Sequence, residues 1–194
     1  ISAFADMLGR NSKRVEGMIG GLEKLTGGGA ENAKPTIYDL SAAKEFPTVK
    51  KTIKTQMVVP DPGTILAYDT QKILIRANDG TFSDVQGGQW ADSLPKLMQA
   101  RIVQSFENAN QLGNVSRPSN DQPEQPPFRL ELGIRNFQIV PEPQPSAVVE
   151  FSARLLDDKG NVIGARIFNA ATSAKSVQAA YAVVALNDAF SKTV

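Results

Sequence analysis

Between Phe128 and Ala170 apolar and polar residues take turns along the chain, and that alternation limits the possible folds more than any other feature. Phe128, Leu130, Leu132 and Ile134 fall on one side, with Arg129, Glu131, Gly133 and Arg135 on the other. This is the period of two that a half-buried strand requires. The phase slips near Asn136, after which Phe137 and Ile139 carry the apolar side. One extra residue in a strand produces such a slip, so a bulge is predicted there. Pro141 to Pro145 turns the chain, and Ala147, Val149, Phe151, Ala153 and Leu155 alternate again. Asp157-Asp158-Lys159-Gly160-Asn161 then reads as a hairpin loop into a strand over 162–170. The result is a three-stranded antiparallel meander with one apolar face, which must be covered.

Two stretches have the helical period needed to cover it. In Gln89-Trp90-Ala91-Asp92-Ser93-Leu94-Pro95-Lys96-Leu97-Met98-Gln99 the single Trp precedes a proline in a first helical turn. Proline loses no hydrogen bond at that position. From there Leu94, Leu97, Met98, Ile102, Phe106 and Ala109 share one face, leaving Lys96, Gln99, Gln104 and Glu107 to solvent. This helix is expected to run to about Asn110, with Gly87-Gly88 before it and Leu112-Gly113 as its stop. The apolar face reads as core, and Trp90 as a plug at one end of that core rather than the wall of a lipid or partner site. The second helix spans about 176–191, with Ala179, Val183, Leu186 and Phe190 on one face.

Shorter strands are predicted over 36–40, 55–59, 71–77 and 81–85. Pro60-Asp61-Pro62-Gly63 closes the second, and Asn78-Asp79-Gly80 turns the third into the fourth. Strands in runs, each followed by a helix, indicate an α+β domain over 35–194. Its sheet is antiparallel or mixed, with two main helices packed on one face. Arg117 to Pro127 (RPSNDQPEQPP) is a polar, proline-rich loop, a solvated connection by composition or else a polyproline ligand.

The first 26 residues read as a separate helix of coiled-coil character. Phe4, Leu8, Asn11, Val15, Met18, Leu22 and Leu25 are spaced 4-3-4-3-4-3, a heptad seam with one polar member to set register. Gly9, Gly17, Gly20 and Gly21 weaken that helix in isolation. It is therefore expected to need an assembly, or to dock on its own domain. Residues 27–34 (GGGAENAK) form a flexible linker by composition.

Much chemistry is excluded by composition. With no His and no Cys there is no imidazole base, thiolate nucleophile, disulfide framework or Cys/His zinc site. No P-loop is present, so any nucleotide hydrolysis of that kind belongs to a partner. The carboxylates at Asp157-Asp158 and around Asp61 lie in turn sequences. A net charge of +1, with Lys50, Lys51 and Lys54 the densest basic group, gives no nucleic-acid surface. No cofactor, no metal and no enzymatic activity are expected. No apolar run approaches the ~20 residues that span a bilayer. Since the chain opens on Ile1 rather than Met, it is expected to be a piece of a longer protein.

Trp90-Ala91-x-x-Leu94-Pro95-x-Leu97-Met98-Gln99 resembles the signature of the ABC-type transport auxiliary component, a family of small periplasmic lipoproteins. Ile37-Tyr38-Asp39-Leu40, Ile73-Leu74-Ile75-Arg76 and the closing Ala-rich helix fit the same family in order. The resemblance covers roughly 35–192. It implies helices on one side of a central sheet, and it implies work with ABC transporter permease and ATPase subunits and MCE (mammalian cell entry) proteins. The cargo it implies is lipid, moved across the envelope, with phospholipid as the expected ligand. Within that signature Trp90, Leu94, Pro95 and Leu97 are expected to be structural. Phe4 to Ser12, Arg14-Val15 and Gly21 to Thr26 resemble the C-terminal helical tail of an MCE protein, whose rings build an apolar tunnel. On that resemblance Phe4, Leu8, Val15, Met18, Leu22 and Leu25 would line an oligomeric seam or touch acyl chains. The chain would then be the back end of an MCE fusion: a periplasmic, membrane-associated homo-oligomer whose anchor is a missing N-terminal part or an outer-membrane lipid. The alternative is a monomeric envelope module that binds a protein or glycan through the 117–127 loop.

Overall fold

A computed structural model describes residues 34–43, 53–110, 112–119 and 126–194. The heptad segment, most of the Gly-rich linker and the middle of the proline-rich loop lie outside the described residues. Lys34–Val194 forms one compact unit. Its elements are β1 (Thr36–Tyr38), β2 (Ile53–Val58), β3 (Lys72–Arg76), β4 (Phe82–Trp90), α1 (Leu94–Ala109), β5 (Leu112–Ser116), β6 (Phe128–Val140), β7 (Ser146–Asp157), β8 (Val162–Ser173) and α2 (Ala179–Thr193).

The eight strands make one mixed sheet built around β6. Along one edge β6 pairs antiparallel with β7 from Phe128↔Asp157 to Val140↔Ser146, and β7 pairs with β8 in turn. The register shifts between Ile134 and Asn136, where the alternation slips in the sequence. The other edge of β6 is shared in succession. Met57 and Val58 of β2 pair parallel with Phe128 and Arg129. Gly63 makes a single bridge to Gly133, and Ile75 of β3 pairs with Ile139. The turn after β2 thus passes the chain from one strand partner of β6 to the next, with Gly63 N–H donating to the Leu132 carbonyl (2.9 Å) and Ile134 N–H to that of Gly63 (2.8 Å). These two bonds give the Leu132 carbonyl and the Ile134 N–H a partner at the change of strand.

Two elements differ from expectation. The strand predicted over 81–85 continues through Gly87-Gly88 to Trp90, so the Trp ends β4 and helix α1 begins four residues later, after Ser93. Two glycines in a row argue against a strand by propensity, but packing decides here. A Cβ on Gly88 would lie 2.6 Å from Ala179 Cβ and 2.9 Å from the Tyr38 ring, so the backbone itself is the packing surface. Helix α1 is not stopped by Leu112-Gly113. Asn110 ends it in the left-handed conformation (φ 49°), its N–H donating to the Phe106 and Glu107 carbonyls. Leu112–Ser116 then forms β5, parallel to β2. With one apolar β-former, Val115, inside it, β5 exists because β2 offers an edge rather than by its own propensity.

Both helices share one hydrophobic core with the sheet. Helix α1 buries Leu94, Leu97, Met98, Ile102 and Val103, and α2 buries Ala182, Val183, Leu186, Ala189 and Phe190. Gln99, expected in solvent, is buried and donates from Nε2 to the Val59 carbonyl (2.9 Å). Residues 39–43 tie the helices together. Asp39 pairs with Arg101 of α1, while Ser41 N–H donates to Asn187 Oδ1 of α2 (2.6 Å). Ala43 N–H donates to Ser105 Oγ (2.9 Å), and Asn108 Nδ2 to the Ala43 carbonyl (3.0 Å). Tyr68, in a short turn of 3-10 helix at 66–68, is fully buried and donates to Gln138 Oε1 (2.6 Å). Burial pushes its hydroxyl above the ordinary tyrosine range, partly offset by the Phe137 backbone and the Arg76 charge.

Gly88→Ala should destabilise the domain by roughly 1–3 kcal/mol, and Ala179→Gly in the same chain should recover part of that loss, as read by urea unfolding. Tyr68→Phe should cost ~1 kcal/mol at neutral pH through the lost hydrogen bond. Because the folded state disfavours the phenolate, the neutral phenol's contribution is whole below the ordinary value of 10.0 and is lost as pH rises through the higher folded value. The stability of wild type should therefore fall more steeply than that of Tyr68→Phe between neutral pH and about pH 11, measured by unfolding across that range.

Candidate functional site

The signature segments, far apart in sequence, meet around the end of β4. Tyr38 of β1 pairs parallel with Trp90, and Ala91 N–H donates to the Tyr38 carbonyl (2.7 Å). On the other side β3 pairs antiparallel with β4, and Trp90 N–H reaches the Gln71 carbonyl (2.7 Å). The Trp90 side chain is 1% exposed. It meets Phe137 edge-on (centroids 6.1 Å, 77°), and Phe137 meets Phe190 of α2 at 6.3 Å. These separations fall in the favourable range for aromatic pairs. Leu94 and Leu97 are buried directly after it, and Leu94 N–H is satisfied by the Thr70 carbonyl (3.0 Å). Pro95, second in α1, has no N–H to satisfy.

Of the sequence-predicted residues, the structure brings together Trp90, Leu94, Pro95 and Leu97. Phe4, Leu8, Val15, Met18, Leu22 and Leu25 lie outside the described residues. The 117–127 loop is described only at its two ends, which leave β5 and enter β6, the neighbours of β2 on either side.

Two hollows open on the surface. One of about 440 Å³ lies at the start of α1, lined by Asp61, Pro62, Thr64, Leu66, Asp69 and Lys96 among others. Leu66 at its rim is 87% exposed. The other, about 360 Å³, lies over Gly63 and Gly133 beside Glu131 and Arg154; these two charges pair at 2.7 Å. No group of three metal-binding side chains occurs among the described residues. The acidic turns do turn work. Asp157 accepts from the N–H groups of Lys159 (2.9 Å) and Asn161 (2.8 Å) and from Asn161 Nδ2 (3.1 Å). These bonds, led by the Asn161 side chain, hold its carboxyl below the usual range. Asp79 is lowered in the same way by Thr81, first through the backbone N–H and then the hydroxyl. What the surface offers is contact area: an ionic face where Arg135 pairs with Glu150 and Lys72 with Asp84, and exposed aliphatic side chains on β8. Sequence reading passed over β8 as an exposed edge, although its composition, with Arg166 as the one ionisable residue in twelve, was visible.

An uncharacterised protein of Bradyrhizobium diazoefficiens, bll6063, is 35% identical over 192 residues, covering 97% of this chain and 50% of that protein. The chain thus spans half the length of this relative. The crystal structure of protein XCC0632 from Xanthomonas campestris has the same fold, with a TM-score of 0.73 at 22% identity over 80% of this chain and 88% of that one. A second crystal structure, of an uncharacterised protein, aligns at TM-score 0.63 and 13% identity over 82% of this chain and 93% of that one. The ABC-type transport auxiliary lipoprotein component family matches residues 38–194, from the Tyr38 that flanks Trp90 to the last residue of the chain, and the chain belongs to that family.

Proposed function

We propose that this protein is a non-catalytic periplasmic component of an MCE/ABC-transporter system that moves phospholipid between the inner and outer membranes. The observation that carries this reading is the family match over 38–194, joined to the heptad segment that precedes it. The Bradyrhizobium relative aligns with 97% of this chain, so in that protein too a counterpart of the heptad segment and the domain occur in one polypeptide. That relative is twice as long as the shared stretch, which leaves room there for an MCE domain.

In this reading the two parts divide the work. The heptad segment self-associates, with Phe4, Leu8, Val15, Met18, Leu22 and Leu25 lining a seam or touching acyl chains. Such a seam is driven by the apolar area it removes from water or presents to lipid. The folded domain docks the permease and ATPase subunits or extends the conduit. Trp90, Leu94, Pro95 and Leu97 serve as its framework, and energy comes from the transporter. Among the described residues no helix is long and apolar enough to cross a membrane.

Native mass spectrometry of the full chain, beside Leu22→Asp, tests the reading. Wild type should give ring-sized assemblies with phospholipid-mass adducts, and Leu22→Asp should give small species without lipid. Unchanged assembly and lipid content in Leu22→Asp would remove the seam. A lipid-free monomer whose binding to a protein or glycan partner is lost on deleting 117–127 would favour the docking-module alternative.

A further inference from the structure

We infer that β8 is a self-association edge, on which two copies of this chain join their sheets antiparallel about a two-fold axis. Among the described residues β8 pairs only with β7, leaving one side of a twelve-residue strand with its backbone groups unmatched by any strand. Soluble proteins blunt such edges with charge, proline or short length, because an open edge is a template for another strand. Here those devices are reduced to a single charge. The strand holds no proline and one charge, Arg166, and Val162, Ile163 and Ile167 are 50%, 53% and 50% exposed. The charged ladder of the neighbouring strands, Arg135 with Glu150 and Arg154 with Glu131, stops at β7. The domain's other end strands are short, three residues in β1 and five in β5.

The chemistry of the edge favours a second copy as the occupant. An antiparallel two-fold must pass through one residue of β8. Centred on Ile167, it sets Arg166 opposite Phe168 of the other copy. The same pair already stacks within the chain, with the guanidinium 5.1 Å above the ring, so the contact would be made again across the axis. Centred on Phe168, it sets Arg166 opposite Ala170. Only an axis on Arg166 itself brings like charges together, so one charge in twelve residues is compatible with self-pairing at most registers. Pairing of this isologous kind closes at two copies and consumes the long edge of both, whereas pairing β8 with the short β1 or β5 of another copy would be heterologous, giving a ring or an open chain according to its rotation. The inference does not depend on the heptad seam proposed above.

Single cysteines placed one at a time from Ala165 to Ala170 in the full chain, which has none of its own, test the register. Opposed strands bring Cα atoms within about 5.5 Å, and a disulfide requires less than about 7 Å. Two residues from the axis the two copies are roughly 13 Å apart at 3.3 Å per residue. Cross-linking should peak sharply at one position and vanish two residues away. In sedimentation equilibrium Ile167→Lys should weaken the dimer on the order of 100-fold, since the change is made twice, while Val184→Lys, exposed on α2, should leave it unchanged. Flat or absent cross-linking, or an Ile167→Lys chain that associates like wild type, overturns the inference. Cross-linking at the peak position that persists with Leu22→Asp supports it even if the seam fails; cross-linking lost with Leu22→Asp assigns association to the seam and overturns it.

Discussion

The domain depends on how the end of β4 is held. Trp90 is fixed by its backbone to Gln71, by strand pairing to Tyr38 and by its side chain to Phe137, which packs on Phe190. Each contact comes from a different part of the chain, so closing this corner is a long-range event with the entropy cost of joining distant segments. The return is the burial of a large indole and of the aliphatic residues that follow it in α1, at about 25 cal/mol per Å² of apolar area. Gly88 is part of the same constraint. The backbone of β4 must let Ala179 and the Tyr38 ring come close, and any side chain there would push α2 off the strand that carries the indole.

Most polar groups at the corner are paired, although Arg101 Nε is buried without a partner. Residues 39–43 lack regular pairing and pass between two helices, where an unsatisfied amide would be expensive. Ser105, Asn108 and Asn187 supply the missing partners, and Arg101 answers Asp39. Gln99 and Gln138 do the same for Val59 and Tyr68. These side chains explain why helix α1 is less cleanly amphipathic than its apolar face alone would make it. Several of its polar residues face inward because a backbone there needs them.

Local pattern reveals the parts of this fold whose cause is local. The β6–β7–β8 meander, the bulge before Asn136, both hairpin turns and the apolar face of α2 follow from alternation, turn residues and helical spacing. What stayed hidden has a tertiary cause. The extension of β4 through Gly87-Gly88 answers to Ala179 and Tyr38, β5 answers to the edge of β2, and Gln99 is inside because Val59 needs a donor. The residues of the Trp90 corner were legible as a motif, but their partner Phe137, some 47 positions on in the numbering, was legible only as one more apolar member of a strand. The heptad residues were the readiest candidates for lipid contact, and they lie outside the described part of the chain.

A domain of this construction suits an auxiliary role for a physical reason. Among the described residues Asp79 and Asp157 are lowered in turns and Tyr68 is raised by burial, so all three keep their ordinary charge states at neutral pH. Gln99, Ser105, Gln138 and Thr193 spend polar atoms on backbone groups, whereas Thr64 Oγ1 and Arg101 Nε are buried without a partner. The surface carries an ionic sheet face whose pairs contribute little to stability, and one long, nearly uncharged strand edge. A rigid corner that fixes the sheet, joined to an edge that can take another strand, has the physics of a part that holds other parts in register.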